Sequence, residues 1–235
     1  MAFFGKIIRF VPETWLVTGA NRGIGLEFAR QLAARGDSVV ATVRDPERAG
    51  DLQGLPVRVE RLDVSDSQSV AGLSGALDGL AIDALIHNAG IGTAGPGLAG
   101  LTREELERNF AVNSIGPVLL TQALLPHLRA GQRKLVAAIS SGLASLEGNS
   151  GGGWYAYRGA KVALNMFVRT MAAELKREGF TFLLLDPGWV RTEMGGPDAP
   201  TSTDESVRAM LKVLDTLSPT DTGSFLNRRG KRVPW

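Results

Sequence analysis

The sequence predicts an α/β fold, one doubly wound parallel sheet with helices on both faces, and three observations predict it. Short apolar runs alternate with stretches of helical period, the pattern of βαβ units. The first run leads into a glycine-rich turn, Thr18 to Gly25, which opens straight into a helical period. The 235 residues are 44% hydrophobic and 21% charged, which is enough apolar material for one large core.

Residues 15–18 read as a buried strand, and Leu26, Ala29 and Leu32 then recur at helical spacing as far as Gly36. Residues 38–43 and 57–62 are the next two strands, with a short polar helix or loop over 45–54 between them. A helix over 67–77 leads to a strand at 84–87. Thr102 and Glu105 form a capping box opening a long helix with Leu106, Phe110 and Asn113 toward its inner face. Pro117 has no N–H for the carbonyl of Asn113, so a kink is expected there, freeing that carbonyl to hold a water near Lys161. A strand at 134–140, a glycine-rich loop, an amphipathic helix over 157–178 and a strand at 181–186 follow. A helix near 204–217 and a short strand near 224–226 end the chain. No repeat or linker interrupts the order, so residues 14–235 are read as one domain behind an N-terminal extension, 1–13, of no assigned purpose.

Composition narrows the function. The net charge of +2 is no nucleic-acid signature, and the cluster Arg228, Arg229, Lys231 and Arg232 reads as a solvated tail. There is no cysteine, which removes disulfides and thiolate metal sites, and no metal is expected. The sequence shows neither a signal-peptide core nor an apolar run long enough to span a bilayer, so a cytoplasmic protein without membrane partners is expected.

The chemistry concentrates at strand ends. Gly19, Gly23 and Gly25, with Asn21, Arg22 and Ile24 between them, join the first strand to the first helix. Glycines there let backbone approach a pyrophosphate, whose charge the helix N-terminus favours, as in Rossmann-type folds. Asn88-Ala89-Gly90 and Asp63 also follow strands, where a ligand or plain turn chemistry accounts for them. Tyr157 and Lys161 stand four apart on one helix face, where an ammonium would favour the phenolate of a group that ordinarily titrates near 10.

Thr18-Gly19…Gly23-Ile24-Gly25, Asn88-Ala89-Gly90, Asn113, Ser140-Ser141, Tyr157…Lys161 and Asp186-Pro187-Gly188…Thr192 occur in an order and spacing that resemble the short-chain dehydrogenase/reductase family. Residues 152–158, 186–196 and the closing Gly230…Pro234-Trp235 look like its small sniffer-type carbonyl reductases, a branch similar to the C-factor signalling proteins. The resemblance implies an oxidoreductase moving a hydride between a nicotinamide cofactor and a small carbonyl or alcohol. Tyr157 would be the acid–base residue, Lys161 would lower its pKa and hold the nicotinamide ribose, Ser141 would orient the carbonyl and Asn113 would complete a proton relay. Asp63 and Val64 would border the adenine, Asn88, with Ala89 and Gly90, would support the adenosine side, and Pro187, Gly188, Val190 and Thr192 would position the nicotinamide. Gly159-Ala160 replaces the usual small-Ser pair, and His87 stands where many relatives carry Asn.

NADP(H) is the expected cofactor. An NAD-selective fold commonly ends its second strand in a carboxylate that binds the adenosine ribose. Here the family resemblance puts Val43 in that place, and Asp45 arrives two residues late, suited to capping a turn with Pro46. Arg44 is placed for a 2′-phosphate, with Arg22 meeting it from the other side. Trp154, Trp189, Leu143 and Leu146 beside the motifs suggest an apolar or aromatic carbonyl, and the short segment 195–204, with two prolines, suggests a small lid and an open site. Two other readings stand beside this one: a cofactor-binding signalling or redox-sensing protein with incidental catalysis, and an epimerase or dehydratase, which lacks its usual second domain here. A homo-oligomer is compatible with all of them.

Overall fold

The computed structural model describes residues 11–92, 95 and 97–235, so the expected N-terminal extension lies outside the described residues as far as residue 10. Among the described residues, β1 (Thr14–Thr18), β2 (Ser38–Val43), β3 (Arg58–Arg61), β4 (Ala84–His87), β5 (Leu135–Ile139), β6 (Thr181–Asp186) and β7 (Ser224–Asn227) form one sheet in the order β3-β2-β1-β4-β5-β6-β7. Every pairing is parallel. The strands read as apolar runs because helices cover both of their faces. Trp15 and Leu16 in β1, and Phe182 to Leu185 in β6, are completely buried. Burial of a side chain such as Phe182 stabilises the fold by roughly 1.5–3 kcal/mol.

Alternation along the strands divides the core. On one face α1 (Gly23–Ala34) and α6 (Thr203–Asp215) bring Phe28, Leu32, Val207 and Met210 against Trp15, Val17 and Leu183. On the other, α2 (Ser67–Ala76), α4 (Gly116–Ala130) and α5 (Tyr155–Leu175) bring Leu73, Leu124 and Leu164 against Leu16, Leu85 and Leu184. Strand order reverses between β1 and β4, so the connections after those strands diverge, opening the crevice where ligands bind such sheets.

Element boundaries shift from the sequence expectation by one or two residues, with α5 beginning at Tyr155 and ending at Leu175 in a 3-10 turn. Residues 45–54 form two 3-10 turns, and Asp45 caps the first through Glu47 N. The larger difference lies near Asn113. The long helix begins with the Thr102 half of the expected capping box, Thr102 Oγ1 accepting from Glu105 N at 3.1 Å in α3 (Arg103–Phe110). It then passes through a π-helical turn, Ala111–Ile115, before α4. The extra residue in that turn, rather than a proline break alone, is how the chain negotiates Asn113–Pro117.

Candidate active site

Strand register gathers the sequence motifs on one edge. Val17 pairs with Ile86, His87 with Ala138 and Ile139 with Leu185, so Gly19, Asn88, Ser140 and Pro187 all emerge at the C-terminal ends of adjacent strands. Side chains then lock the ends together. Thr18 Oγ1 accepts from Asn88 N and Ala89 N at 2.9 and 3.0 Å, and Asn88 Nδ2 donates to the carbonyls of Thr18 and Gly19. Asn88 thus acts as a brace between β1 and β4, holding the glycine turn in place.

The turn has the geometry an anion needs. Gly19 and Gly23 have φ of +64° and +56°, the left-handed region that glycine enters without steric cost. No side chain caps the first turn of α1, whose N–H donors are left for a phosphate. A Cβ on Gly23 would lie 3.3 Å from Thr192 Cγ2, which brings the loop after β6 over the turn. Asn21 is exposed on the turn, and Ile24 packs against the core below it. Arg44 is exposed beyond β2, and its charge helps to lower the pKa of Asp63, whose carboxylate is held chiefly by Ser65. Val64, next in the chain, is buried in the α2/α4/α5 core. These residues fit a dinucleotide: a bare-backbone cradle for the pyrophosphate, with the exposed Arg44 cation beyond β2.

Arg22 is already engaged. It forms an ion pair with Glu193 on the loop after β6, a partner the sequence reading did not single out. The two are 171 residues apart, and no local pattern signals the contact. In the same loop Gly188 has φ +78°, Pro187 O accepts from Ser206 Oγ at 2.8 Å and Val190 bridges Thr201. Trp189 is 58% exposed, its Nε1 donating to Gly195 O at 2.7 Å, and Leu146 is 69% exposed.

Tyr157, Lys161, Ser141 and Asn113 converge below this edge. Tyr157 is 9% exposed and Lys161 5%. Lys161 Nζ donates to Ile139 O at 2.7 Å and lies 5.8 Å from the Tyr157 ring centroid. A Cβ on Gly90 would sit 3.0 Å from Asn113 Oδ1 and 3.7 Å from Lys161 Nζ, so these three meet at one point. The Asn113 amide clamps the loop after β4, donating to Ile91 O at 2.8 Å and accepting from Ile91 N at 3.0 Å. Ser141 faces Tyr157, whereas Ser140 turns inward to donate to Asn165 Oδ1 at 2.6 Å. Tyr155 is largely exposed.

Burial dominates the electrostatics of the pair. The phenol of Tyr157 titrates above its ordinary value, because burial penalises the phenolate more than the Ser141 interaction favours it, and Asp186 adds repulsion. Lys161 is itself lowered to about 8 by burial, which weakens the ammonium expected to pull the phenol down. His87 is neutral. Thr121 Oγ1 donates to Pro117 O at 2.8 Å, so His87 Nε2, also 2.8 Å from that oxygen, must carry the proton. Burial, then the Lys161 charge, lowers His87 to about 3.

A doubly wound sheet carrying a glycine cradle and a buried Tyr–Lys pair at its switch point defines a dinucleotide-dependent oxidoreductase. The chain belongs to the short chain dehydrogenase family, whose pattern matches residues 13–202. The C-signal protein of Myxococcus xanthus is 46% identical over 154 residues, 66% of this chain and 93% of that protein. The structure of NADPH-bound carbonyl reductase from chicken fatty liver superposes with a TM-score of 0.90 at 36% identity, covering 96% of this chain and all of that one. Carbonyl reductase Sniffer of D. melanogaster superposes at 0.89 and 28% identity, with the same coverage. Among the described residues no helix is long and apolar enough to cross a membrane.

Proposed function

We propose that this chain is a carbonyl reductase in which Tyr157 protonates the substrate oxygen while Ser141 orients it. The protein is an NADP(H)-dependent oxidoreductase of its family, supported by the likeness to an NADPH-bound carbonyl reductase. When bound, the nicotinamide supplies or accepts the hydride. The observation that carries the reading is the placement of the Tyr157 phenol, buried and protonated, beside Ser141 and above Lys161. The phenol is protonated at neutral pH, the state from which a proton can be given to the substrate oxygen. Lys161, which donates to Ile139 O, would hold the ribose, and the Asn113 carbonyl, in its π turn, would hold a water that completes the proton relay. Gly19, Asn21, Gly23, Ile24 and Gly25 would cradle the pyrophosphate, Arg44 and Arg22 would hold the 2′-phosphate, and Asp63, Val64, Asn88, Ala89 and Gly90 would flank the adenosine half. Pro187, Gly188, Val190 and Thr192 would line the nicotinamide.

The substrate is a small carbonyl or alcohol, and a chain without cysteine suits the cytoplasm. Likeness to the C-signal protein keeps a signalling role as the second reading. The experiment is NADPH-dependent turnover across a carbonyl panel by wild type and Tyr157→Phe. A loss of about 10²–10⁴-fold in the variant, with cofactor binding retained, supports the assignment. Equal rates in the two proteins would move the acid elsewhere, and no turnover in wild type would favour signalling.

A further inference from the structure

Tyr157 stands in a slot. A Cβ built on Gly92 would lie 2.5 Å from Tyr157 Cδ2 and 2.9 Å from Cε2, so bare backbone lies against the ring. The Trp154 indole also meets the ring edge to face, with centroids 5.6 Å apart and planes at 64°. Trp154 reaches this position through a left-handed backbone, φ 54° and ψ 33°. Among the described residues, Lys134 is the only other non-glycine with positive φ. A bulky side chain is disfavoured there, where Gly or Asn fits at lower cost. The two residues before it, Gly152 and Gly153, share the positive φ and deliver the chain into that conformation. Trp154 is also the N-cap of α5 without a capping side chain, its carbonyl accepting from Arg158 N at 2.8 Å. The position therefore favours a small polar residue on backbone grounds and carries the largest side chain instead. The indole stays partly exposed while the Tyr157 ring is buried.

We propose that Trp154 is a positioning and specificity-determining residue, pinning the Tyr157 ring beside Gly92 and presenting a flat wall that favours aromatic over aliphatic carbonyl substrates. The inference rests on the reading of Tyr157 as the acid. An edge-to-face contact restrains the swing of the ring and so the place of its hydroxyl beside Ser141. The partly open indole face offers an aromatic substrate an offset stack that a saturated ring cannot match.

The test compares Trp154→Phe, Trp154→Leu and Trp154→Gly with wild type, using benzaldehyde and cyclohexanecarbaldehyde as a size-matched pair. In Trp154→Leu the kcat/KM preference for the aromatic aldehyde is expected to fall roughly 3- to 10-fold, the scale of one aromatic contact. In Trp154→Gly kcat is expected to fall on the order of 10–10²-fold as the hydroxyl loses its place. Trp154→Phe should restore most of both. A second readout needs no turnover. The chain has two tyrosines, so in a Tyr155→Phe background tyrosinate absorbance follows Tyr157 alone. The groups facing it are Ser141, Lys161 and Asp186, none altered by these changes. Opening the slot in Trp154→Gly should lower its titration midpoint toward the ordinary value, while Trp154→Phe holds it high. Wild-type preference, kcat and midpoint in Trp154→Leu, or a Phe variant as impaired as Gly, would overturn the proposal. If Tyr157→Phe retains full activity the acid assignment falls instead, and the substrate preference and titration still decide the role of Trp154.

Discussion

Arg22, at the N-cap of α1, is ion-paired with Glu193 on the loop after β6, so the glycine turn and the opposite loop are tied across the cofactor edge. Both side chains are mostly exposed, and such surface pairs are worth about 0–1 kcal/mol. A hydrogen bond to a charged phosphate is worth roughly 1.5–3 kcal/mol, so the phosphate wins the arginine. Glu193→Gln removes the competitor, and NADPH should bind about 2- to 5-fold tighter in fluorescence titrations, with NADH affinity unchanged. Weaker NADPH binding would mean that Glu193 holds the loop in its productive position instead.

Cofactor choice should depend on two arginines. Val43 is buried at the end of β2 and Asp45 is spent on capping, so no carboxylate there is placed for a ribose. Arg44→Ala with Arg22→Ala is expected to erode the NADPH-over-NADH ratio of kcat/KM by about tenfold or more, from the same hydrogen-bond scale. An unchanged ratio in the double variant would sink the phosphate-clamp reading.

The two reaction directions should differ in pH dependence. Reduction needs the protonated phenol, oxidation the phenolate, and burial followed by Asp186 holds the Tyr157 pKa above its usual value. Reduction should stay flat through neutral pH, while oxidation should be slow there and rise steadily with pH. Initial rates in both directions test this; oxidation that levels off below neutral pH would refute it. Lys161→Met should damage turnover and cofactor affinity together.

His87 should sensitise the fold to acid. Its pKa is lowered from 6.5 to about 3, so the unfolded chain takes up a proton at a pH where the folded one resists. Stability is then unaffected above about 6.5 and falls as pH drops from there toward 3, by a few kcal/mol in all. In His87→Asn that part of the slope should disappear from denaturant midpoints taken across the window. An identical slope would place the acid sensitivity in other groups.

Parallel strands buried on both faces are continuous apolar runs, and their alternation with helical periods was enough to read the layers, the single domain and the glycine turn. Local chemistry was equally legible: Thr102 caps α3, Asp45 caps its turn, and the spacing of Tyr157 and Lys161 puts them together. These features depend on residues within a few positions of one another, where backbone geometry dictates what meets what. The tertiary structure alone decided the π turn at Asn113, the left-handed Trp154, the Arg22–Glu193 tie and the direction of the Tyr157 pKa. Sequence spacing placed an ammonium beside the phenol; only packing revealed that both groups are buried, and that desolvation outweighs their proximity. Burial is the sum of contacts from many distant segments, so four residues of spacing carry no record of it.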